Sequence, residues 1–341
     1  MTSPAPVTQP PRPEVVPDLP GELYIETTNR CNLRCRTCPQ YWGMDEAQAD
    51  LSPAQVTRIL GYFPMVRRVV LHGIGEPLLN PELPGILRAV KATGAYALFN
   101  TNGLLLRGRV ARGLVEEGLD ELRISVDSAT PETYAAVRGA NGLGRILANI
   151  RAFTTIKRES GRDLPKVSLW LTGMKTNIGE LPALVSLAAD VGISEVYLQR
   201  LVYSGRGLAI AGESLFSAPG PAEVAAVRRA EKLALELGIA LRGSGEVLSG
   251  DLINLTDATE QPYQRCRRPW TLMYVTANGN VLPCCIAPFT GVPYGTIVLG
   301  NIFNQTVEGI WNGEPYRQWR KSMLDGHPPA ACASCGTGWS L

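Results

Sequence analysis

Residues 22–38 read Glu22-Leu-Tyr-Ile-Glu-Thr-Thr-Asn-Arg-Cys31-Asn-Leu-Arg-Cys35-Arg-Thr-Cys38 and join a strand to a cysteine motif. The segment 23–28 is rich in β-branched and aromatic side chains, which predicts a strand. The cysteines that follow have the spacing C-x3-C-x2-C. Three thiolates so close together suit an iron–sulfur cluster, and a four-iron cubane with three ligands leaves one iron open. A zinc knuckle is the alternative, although zinc would need a fourth protein ligand.

The chain beyond this motif alternates strands with helices. Strands that alternate with helices at this spacing predict a parallel sheet of βα units. Six units are two fewer than a closed barrel needs, so we expect an α/β fold with a partial (β/α)6 TIM-like barrel, an open sheet being the alternative. The five further strands are predicted at 68–71, 95–99, 122–126, 167–171 and 195–201, and a strongly helical run covers 221–237.

The pattern changes after about Gly243, where a second and smaller domain is expected. A length of 341 residues is consistent with two domains. Segments 272–276 and 281–282 flank Asn278-Gly279, which predicts a β-hairpin. Segment 306–323 reads as one helix interrupted near Gly313 and Pro315. We therefore divide the chain into a disordered Pro-rich arm (1–20), the partial barrel (21–250) and a small C-terminal α+β domain (251–341).

Composition excludes several classes of protein. The 33 Lys and Arg residues nearly balance the 31 Asp and Glu residues, so a general nucleic-acid binder is not expected. Only two histidines occur, too few for a three-His zinc site. Neither a secretory signal nor a membrane span is visible, which predicts a cytoplasmic protein without a membrane partner. Eight cysteines in such a protein point to metal binding or catalysis.

The cysteine motif after the first of six βα units resembles that of the radical S-adenosyl-L-methionine (SAM) superfamily. The resemblance implies that Cys31, Cys35 and Cys38 hold a [4Fe–4S] cluster, whose fourth iron binds the amino and carboxylate groups of SAM. Reductive cleavage of SAM then gives methionine and a 5′-deoxyadenosyl radical, which takes a hydrogen atom from the substrate. An external one-electron reductant of the flavodoxin or ferredoxin type is implied as a partner.

Further motifs follow in the order that this family shows. Gly73-Ile-Gly-Glu-Pro77 resembles the glycine-rich GGEP motif that receives the SAM amino group, and Arg138 resembles the arginine that binds the SAM carboxylate. Thr37 stands where the family often has an aromatic residue beside the adenine, and Tyr41 and Trp42 are the candidates to replace it. The implied SAM-binding residues are Gly73, Gly75, Glu76, Pro77, Asn102, Ser125, Asp127 and Arg138.

A second group of cysteines lies near the C-terminus. Cys266 and Cys284 form C-x12-G-x4-C, and Cys332-x2-Cys335 follows. This is similar to the opening of the SPASM domain, but the later cysteines of that domain are missing because six residues follow Cys335. Four ligands suffice for one auxiliary [4Fe–4S] cluster, as in the shorter twitch arrangement of a radical SAM dehydrogenase of aminoglycoside biosynthesis. A four-Cys structural zinc site is the alternative.

Cys285 is adjacent to a proposed ligand and has two interpretations. A free cysteine packs as a small hydrophobe, so Cys285 is a bystander or a spare ligand in the simpler one. In the other, it faces the substrate. The family then implies that it acts as a base, or as the hydrogen-atom donor of an epimerase.

These observations predict a radical SAM oxidoreductase that dehydrogenates a small molecule, with the auxiliary cluster as electron acceptor. The alternatives are an epimerase that uses Cys285, a maturase of ribosomal peptides, and a scaffold that has kept the fold without catalysis. The first strand starts near residue 23, leaving no room for a leader-peptide-binding domain, which favours a small substrate over a peptide. RNA modification is disfavoured by the balanced charge.

Overall fold

A computed structural model of the chain describes residues 12–43, 46–215, 219–244, 247–248, 252, 263, 266–333 and 335. Its strands are β1 (Glu22–Ile25), β2 (Arg68–Val70), β3 (Tyr96–Thr101), β4 (Glu121–Ser125), β5 (Lys166–Gly173), β6 (Glu195–Arg200), β7 (Ala240–Gly243), β8 (Val247–Leu248), β9 (Leu272–Val275), β10 (Asn280–Leu282) and β11 (Gly300–Asn301). Its α-helices are α1 (Pro39–Trp42), α2 (Pro53–Gly61), α3 (Leu83–Ala92), α4 (Gly108–Glu116), α5 (Pro131–Arg138), α6 (Leu143–Glu159), α7 (Leu181–Asp190), α8 (Pro221–Leu237), α9 (Arg268–Thr271), α10 (Val307–Trp311), α11 (Glu314–Leu324) and α12 (Ala330–Ala333).

The central feature is one open sheet. Strands β1 to β7 lie side by side in sequence order, and every neighbouring pair among them is parallel. The first six are the predicted strands, which confirms the α/β class and the partial, unclosed barrel. The seventh parallel strand, β7, was not predicted. It has four residues and follows α8 after one glycine and one further residue, so it offers little pattern of its own.

The C-terminal region extends the same sheet. Strand β9 pairs in parallel with β1, with Leu272 opposite Glu22. Strands β10 and β11 follow as antiparallel neighbours, which confirms the predicted hairpin. The edge pairing with β1 was not expected, because nothing local to β9 specifies a partner so far away in the chain. The proposed domain boundary near residue 250 lies outside the described residues and stays a prediction.

The described part of the N-terminal arm is bound to the C-terminal region. Trp270 donates its indole N–H to the carbonyl of Pro13 over 2.7 Å, and Trp311 donates to that of Asp18 over 3.0 Å. The expectation of disorder is therefore wrong for residues 12–20, while residues 1–11 lie outside the described residues. A Pro-rich extended chain keeps its carbonyls free, and buried indole N–H groups need acceptors.

Local signals place the helices. Ser52 and Gln55 form a capping box at the start of α2. Helix α8 ends at Gly238, which has a left-handed φ of 67°. The helix expected over 306–323 is two helices, α10 and α11, with Gly313 between them as the N-cap of the second.

The sheet has a helix-facing side and a side that faces the interior of the barrel. On β4, Leu122 and Ile124 are fully buried in the apolar core. Arg123 and Ser125, on the other side of the same strand, line interior cavities. No helix in the described residues is long and apolar enough to cross a bilayer.

Candidate functional site

The three N-terminal cysteines lie at one cavity, at the carboxyl ends of the parallel strands. We call this the first cavity, and its wall includes Cys31, Cys35 and Cys38. The loop that carries them follows β1, and the Cys38 N–H donates to the Cys35 carbonyl over 3.0 Å. The carboxyl ends of parallel strands are where α/β folds place their ligands.

Two glycines hold this loop against the rest of the barrel. A Cβ on Gly207 would lie 2.0 Å from the Arg36 carbonyl oxygen, and one on Gly139 would lie 2.8 Å from that of Arg34. Both glycines also have positive φ, 56° and 77°. The close approach fixes the cysteine loop between α5 and the segment after β6.

The thiols are free and partly buried. Burial raises the pKa of Cys31 to about 11 and raises that of Cys38 further. The Arg138 guanidinium lies beside them, with Nη1 at 3.5 Å from Cys35 Sγ. Within the described ranges, no three His, Cys, Asp or Glu side chains are grouped tightly enough for a single metal ion.

Glu76 is the best-oriented acid of the first cavity. Its Oε1 accepts from the Thr101 hydroxyl (2.6 Å) and its Oε2 from the Asn102 N–H (2.7 Å). The Leu78 N–H donates to Oε1 over 3.1 Å. Glu76 is 3% exposed, and burial raises the pKa of its carboxyl group. Two donors from the end of β3 and one from the turn that follows Glu76 therefore fix one carboxylate in the cavity wall.

The glycines before Glu76 have a structural role. A Cβ on Gly73 would lie 2.3 Å from Cγ and Oε1 of Glu26, and one on Gly75 would lie 2.0 Å from the Thr28 carbonyl oxygen. The motif predicts that these glycines lie beside SAM. The structure shows that they are needed for contact with the end of β1.

Arg138 and Asp127 form a buried ion pair. Arg138 Nη2 lies 2.7 Å from Asp127 Oδ2, and Asp127 Oδ1 accepts from the Thr172 N–H over 2.7 Å. Burial lowers the pKa of Arg138, but Asp127 and Cys35 outweigh it and the net shift is upward. The buried Nε of Arg138 has no hydrogen-bond partner in the part of the chain that the structure describes. Asp127 thus orients Arg138, whose Nε–H is available to donate a hydrogen bond to a ligand.

The structure gathers most of the predicted residues at the first cavity. Thr37 lies in its wall, whereas Tyr41 is 49% exposed on α1. Pro77 is buried at the start of a 3₁₀ turn, Pro77–Leu79, outside the described lining. The predicted residues in the wall are Cys31, Cys35, Cys38, Gly73, Gly75, Glu76, Asn102, Ser125, Asp127, Arg138 and Cys285.

The four predicted C-terminal ligands line a second cavity of about 240 Å³. Cys266, Cys284, Cys332 and Cys335 come from segments far apart in the chain and meet there. Burial raises the pKa of each of these thiols. Arg268 also lines this cavity, and its positive charge acts against burial by lowering the pKa of Cys266 and of Cys284.

Cys285 lies between the two cavities. It is 7% exposed and lines the first cavity, while its neighbour Cys284 lines the second. Arg268 donates from Nη1 to Cys285 Sγ over 3.2 Å. Tyr24 lines both cavities. Ile286 lines both as well, and Arg268 of the second cavity contacts Cys285 of the first, so these side chains connect the two cysteine groups.

Sequence reasoning missed two buried ionisable groups at this site. His72 lines the first cavity, burial lowers its pKa to about 4, and its buried Nδ1 has no partner among the described residues. Glu26 accepts from the N–H groups of Ile74 (2.7 Å) and Ala277 (3.1 Å), so it joins β1 to the glycine motif and to the hairpin. Glu26 directly follows β1 and His72 directly precedes Gly73. This closeness to the motifs is the signal that could have identified both residues.

Two family models match the chain. That of the radical SAM superfamily matches residues 25–177, and that of SPASM, an iron–sulfur cluster-binding domain, matches residues 266–336. The first covers the cysteine motif and the strands up to β5, and the second covers all four C-terminal cysteines.

Two proteins of similar sequence match the chain over different shares of its length. PqqA peptide cyclase from Streptomyces rochei is 28% identical over 299 residues, which is 86% of this chain and 75% of that protein. A tungsten-containing aldehyde ferredoxin oxidoreductase cofactor-modifying protein from Pyrococcus furiosus is 30% identical over 189 residues, 53% of this chain and 51% of that protein. The chain thus spans about half the length of the second relative.

The solved structure of SuiB from Streptococcus suis, bound to precursor peptide SuiA, has the same fold. It aligns with a TM-score of 0.65 and 19% identity, over 89% of this chain and 67% of that one. Residues 25–177 therefore form a domain of the radical SAM superfamily, whose members bind a [4Fe–4S] cluster and SAM, and residues 266–336 form a cluster-binding SPASM domain.

Proposed function

We propose that this chain catalyses a two-electron oxidation of a peptide, with SAM and one cluster at the first cavity and an auxiliary cluster at the second. The observation that carries the proposal is that the two cavities with free cysteines share Tyr24 and Ile286 in their walls, and that Cys285 of the first cavity follows Cys284 of the second in the chain. Cys31, Cys35 and Cys38 would hold the first cluster. Cys266, Cys284, Cys332 and Cys335 would hold the auxiliary cluster.

The described residues fit these groups. Thiols at a cavity wall suit a polynuclear cluster, since thiolates are its ligands. The unpartnered Nε of Arg138 is a buried donor in need of an anion, such as the SAM carboxylate. When bound, the groups supply a 5′-deoxyadenosyl radical that removes a hydrogen atom from substrate, and an acceptor for the second electron.

The chain's own residues would bind the amino acid moiety of SAM and orient it. Glu76 is fixed by three donors and keeps lone-pair capacity on Oε2 for an ammonium group. Arg138, held by Asp127, provides the opposite charge across the same cavity. An amino acid moiety that offers an ammonium and a carboxylate would therefore be held in one orientation.

The four C-terminal thiols complete the ligand set of one cluster, so substrate would bind at the first cavity. We take a peptide as the substrate class because PqqA peptide cyclase, matched over 86% of this chain, is named for one. This replaces the small molecule favoured by the sequence analysis. A flavodoxin- or ferredoxin-type donor and a cytoplasmic location, where thiols stay reduced, complete the proposal.

A second candidate is epimerisation, and one observation favours it. The Cys285 thiol lines the first cavity, where a substrate radical would form. A thiol there would donate a hydrogen atom to the substrate radical, so the substrate would undergo no net oxidation. The thiyl radical left on Cys285 would be returned to the thiol by one electron from the proposed reductant and a proton.

The test uses full-length protein that has been reconstituted anaerobically with iron and sulfide. With SAM and dithionite it should form 5′-deoxyadenosine, and its absence would overturn both candidates. Peptides encoded beside this gene are then incubated in deuterated water. A product lighter by two hydrogens and free of deuterium supports oxidation, whereas one deuterium at an inverted carbon supports epimerisation.

A further inference from the structure

A separate cavity of about 1550 Å³ occupies the opposite end of the barrel, where the strands begin. We call it the lower cavity, and its wall includes Arg68, Tyr96, Lys166 and Glu195, the first residues of four strands. The interior of a closed barrel is filled by branched apolar residues, but this one is polar and open. We propose that the lower cavity binds an oxyanion, a carboxylate or a phosphate, through Arg123.

Arg123 has an unmet hydrogen-bonding requirement. The side chain is 7% exposed, and its Nε lies 2.5 Å from Glu121 Oε1. Its Nη1 is buried and has no partner in the described ranges. A buried guanidinium donor that lacks an acceptor is unfavourable. An oxyanion in the lower cavity would provide that acceptor.

The guanidinium is held in place before any ligand binds. Its central carbon lies 4.6 Å from the centre of the Trp170 ring. Trp170 is stacked on Tyr197 with ring centres 4.0 Å apart, and its indole N–H donates to the Ser168 hydroxyl over 2.8 Å. A cation fixed by an aromatic stack on one side and a carboxylate on another loses little entropy on binding.

The charge around Arg123 favours an anion. Seven basic and three acidic side chains are found among the described residues that line the lower cavity, although the whole chain is nearly neutral at +2. Lys157, Arg158 and Lys166 belong to this basic group. Such an excess in a concave, partly apolar site concentrates anions.

The lower cavity is distinct from the site of the proposed reaction. Arg123 and Trp170 line it, whereas Ser125 and Thr172, two residues further along the same strands, line the first cavity. One layer of side chains thus separates the two. The proposal is independent of which reaction the first cavity supports.

The test is calorimetric titration of the anaerobic, cluster-loaded chain with two probes, sodium phosphate and sodium succinate, and with sodium chloride at matched ionic strength as the control. We expect one site per chain for at least one probe and none for chloride. Binding of phosphate alone or of succinate alone would support the proposal and identify the anion. Binding of neither would overturn it.

Variants locate the site. Arg123→Gln should weaken anion binding by at least about tenfold. Arg123→Lys keeps the positive charge but loses the paired N–H donors of the guanidinium, so its affinity should be intermediate. Arg158→Gln changes an exposed arginine of the same cavity and should alter affinity by less than about threefold. Equal affinity in Arg123→Gln and the parent would overturn the assignment. If Arg123→Gln does not fold, the anion affinity of Arg123→Lys is compared with that of the parent, and equal affinity would overturn the assignment. The formation of 5′-deoxyadenosine is measured separately and reports on the first cavity.

Discussion

Cys284 and Cys285 are consecutive in the chain, yet their side chains belong to different cavities. Cys284 lines the second cavity with the other three C-terminal cysteines, whereas Cys285 lines the first and accepts from Arg268 Nη1 over 3.2 Å. Side chains of successive residues leave the backbone in different directions, so a single Cys-Cys pair can serve two sites.

The pair gives the first prediction. Cys284→Ala should remove the auxiliary cluster, a loss of about four irons per chain, because a thiolate ligand is deleted. Cys285→Ala should retain all the iron, since Cys285 faces the other cavity. Iron and sulfide analysis with electron paramagnetic resonance measures both. Loss of iron in Cys285→Ala would instead make Cys285 a ligand.

Glu76→Gln should destabilise the fold and weaken SAM binding. The amide would turn one N–H₂ group toward the donors of Leu78, Thr101 and Asn102, which leaves a buried hydrogen bond unmade. We expect a loss of about 2 kcal/mol in the free energy of unfolding and about tenfold in SAM affinity. Urea denaturation and equilibrium dialysis measure these quantities. Glu82→Gln, at an exposed position of the same segment, is the control and should change neither.

The local parts of this architecture could be predicted from sequence, and the long-range parts could not. Strand β1 and the cysteine spacing after it depend only on residues that are consecutive in the chain. The pairing of β9 with β1 joins Leu272 to Glu22, and no local pattern encodes such a contact. The same holds for the arm at residues 12–20, whose acceptors become visible only when Trp270 and Trp311 are in place.

The candidate site shows the same limit. Glu76 and Arg138 could be singled out by motif, but their partners could not. The contact of Asp127 with SAM stays a prediction, and the motif gave no sign that its carboxylate pairs with Arg138 and accepts from the Thr172 N–H. A motif identifies the residue type, whereas a hydrogen-bond partner depends on the fold.

Gly75→Ala should disrupt the first cavity. Its new Cβ would meet the Thr28 carbonyl oxygen at 2.0 Å, and backbone atoms cannot move aside as a flexible side chain does. We expect a loss of about 3 kcal/mol in the free energy of unfolding, together with weaker SAM binding. Gly61→Ala, at the end of α2 with nothing within 4 Å of the new Cβ, is the matched control and should be neutral or slightly stabilising. Equal stability of the two variants would contradict the steric argument.

Glu26 and His72 should give opposite pH dependences of stability. Burial raises the pKa of Glu26 from 4.5 to about 7, so the folded state keeps a proton that the unfolded state has released between those values. The contribution of Glu26 to the free energy of unfolding therefore falls as pH rises from 4.5 to 7. Burial lowers the pKa of His72 from 6.5 to about 4, so the unfolded state binds the extra proton and the contribution rises between pH 4 and 6.5.

The measurement is urea denaturation of the parent, Glu26→Gln and His72→Gln from pH 4.5 to 7. The stability difference, parent minus Glu26→Gln, should fall by up to about 1.4 kcal/mol per pH unit, and parent minus His72→Gln should rise by a similar amount up to pH 6.5. The two contributions oppose each other in the parent, so its own profile should be flatter than that of either variant. Differences that stay constant with pH would show that neither group is held in its uncharged form by burial.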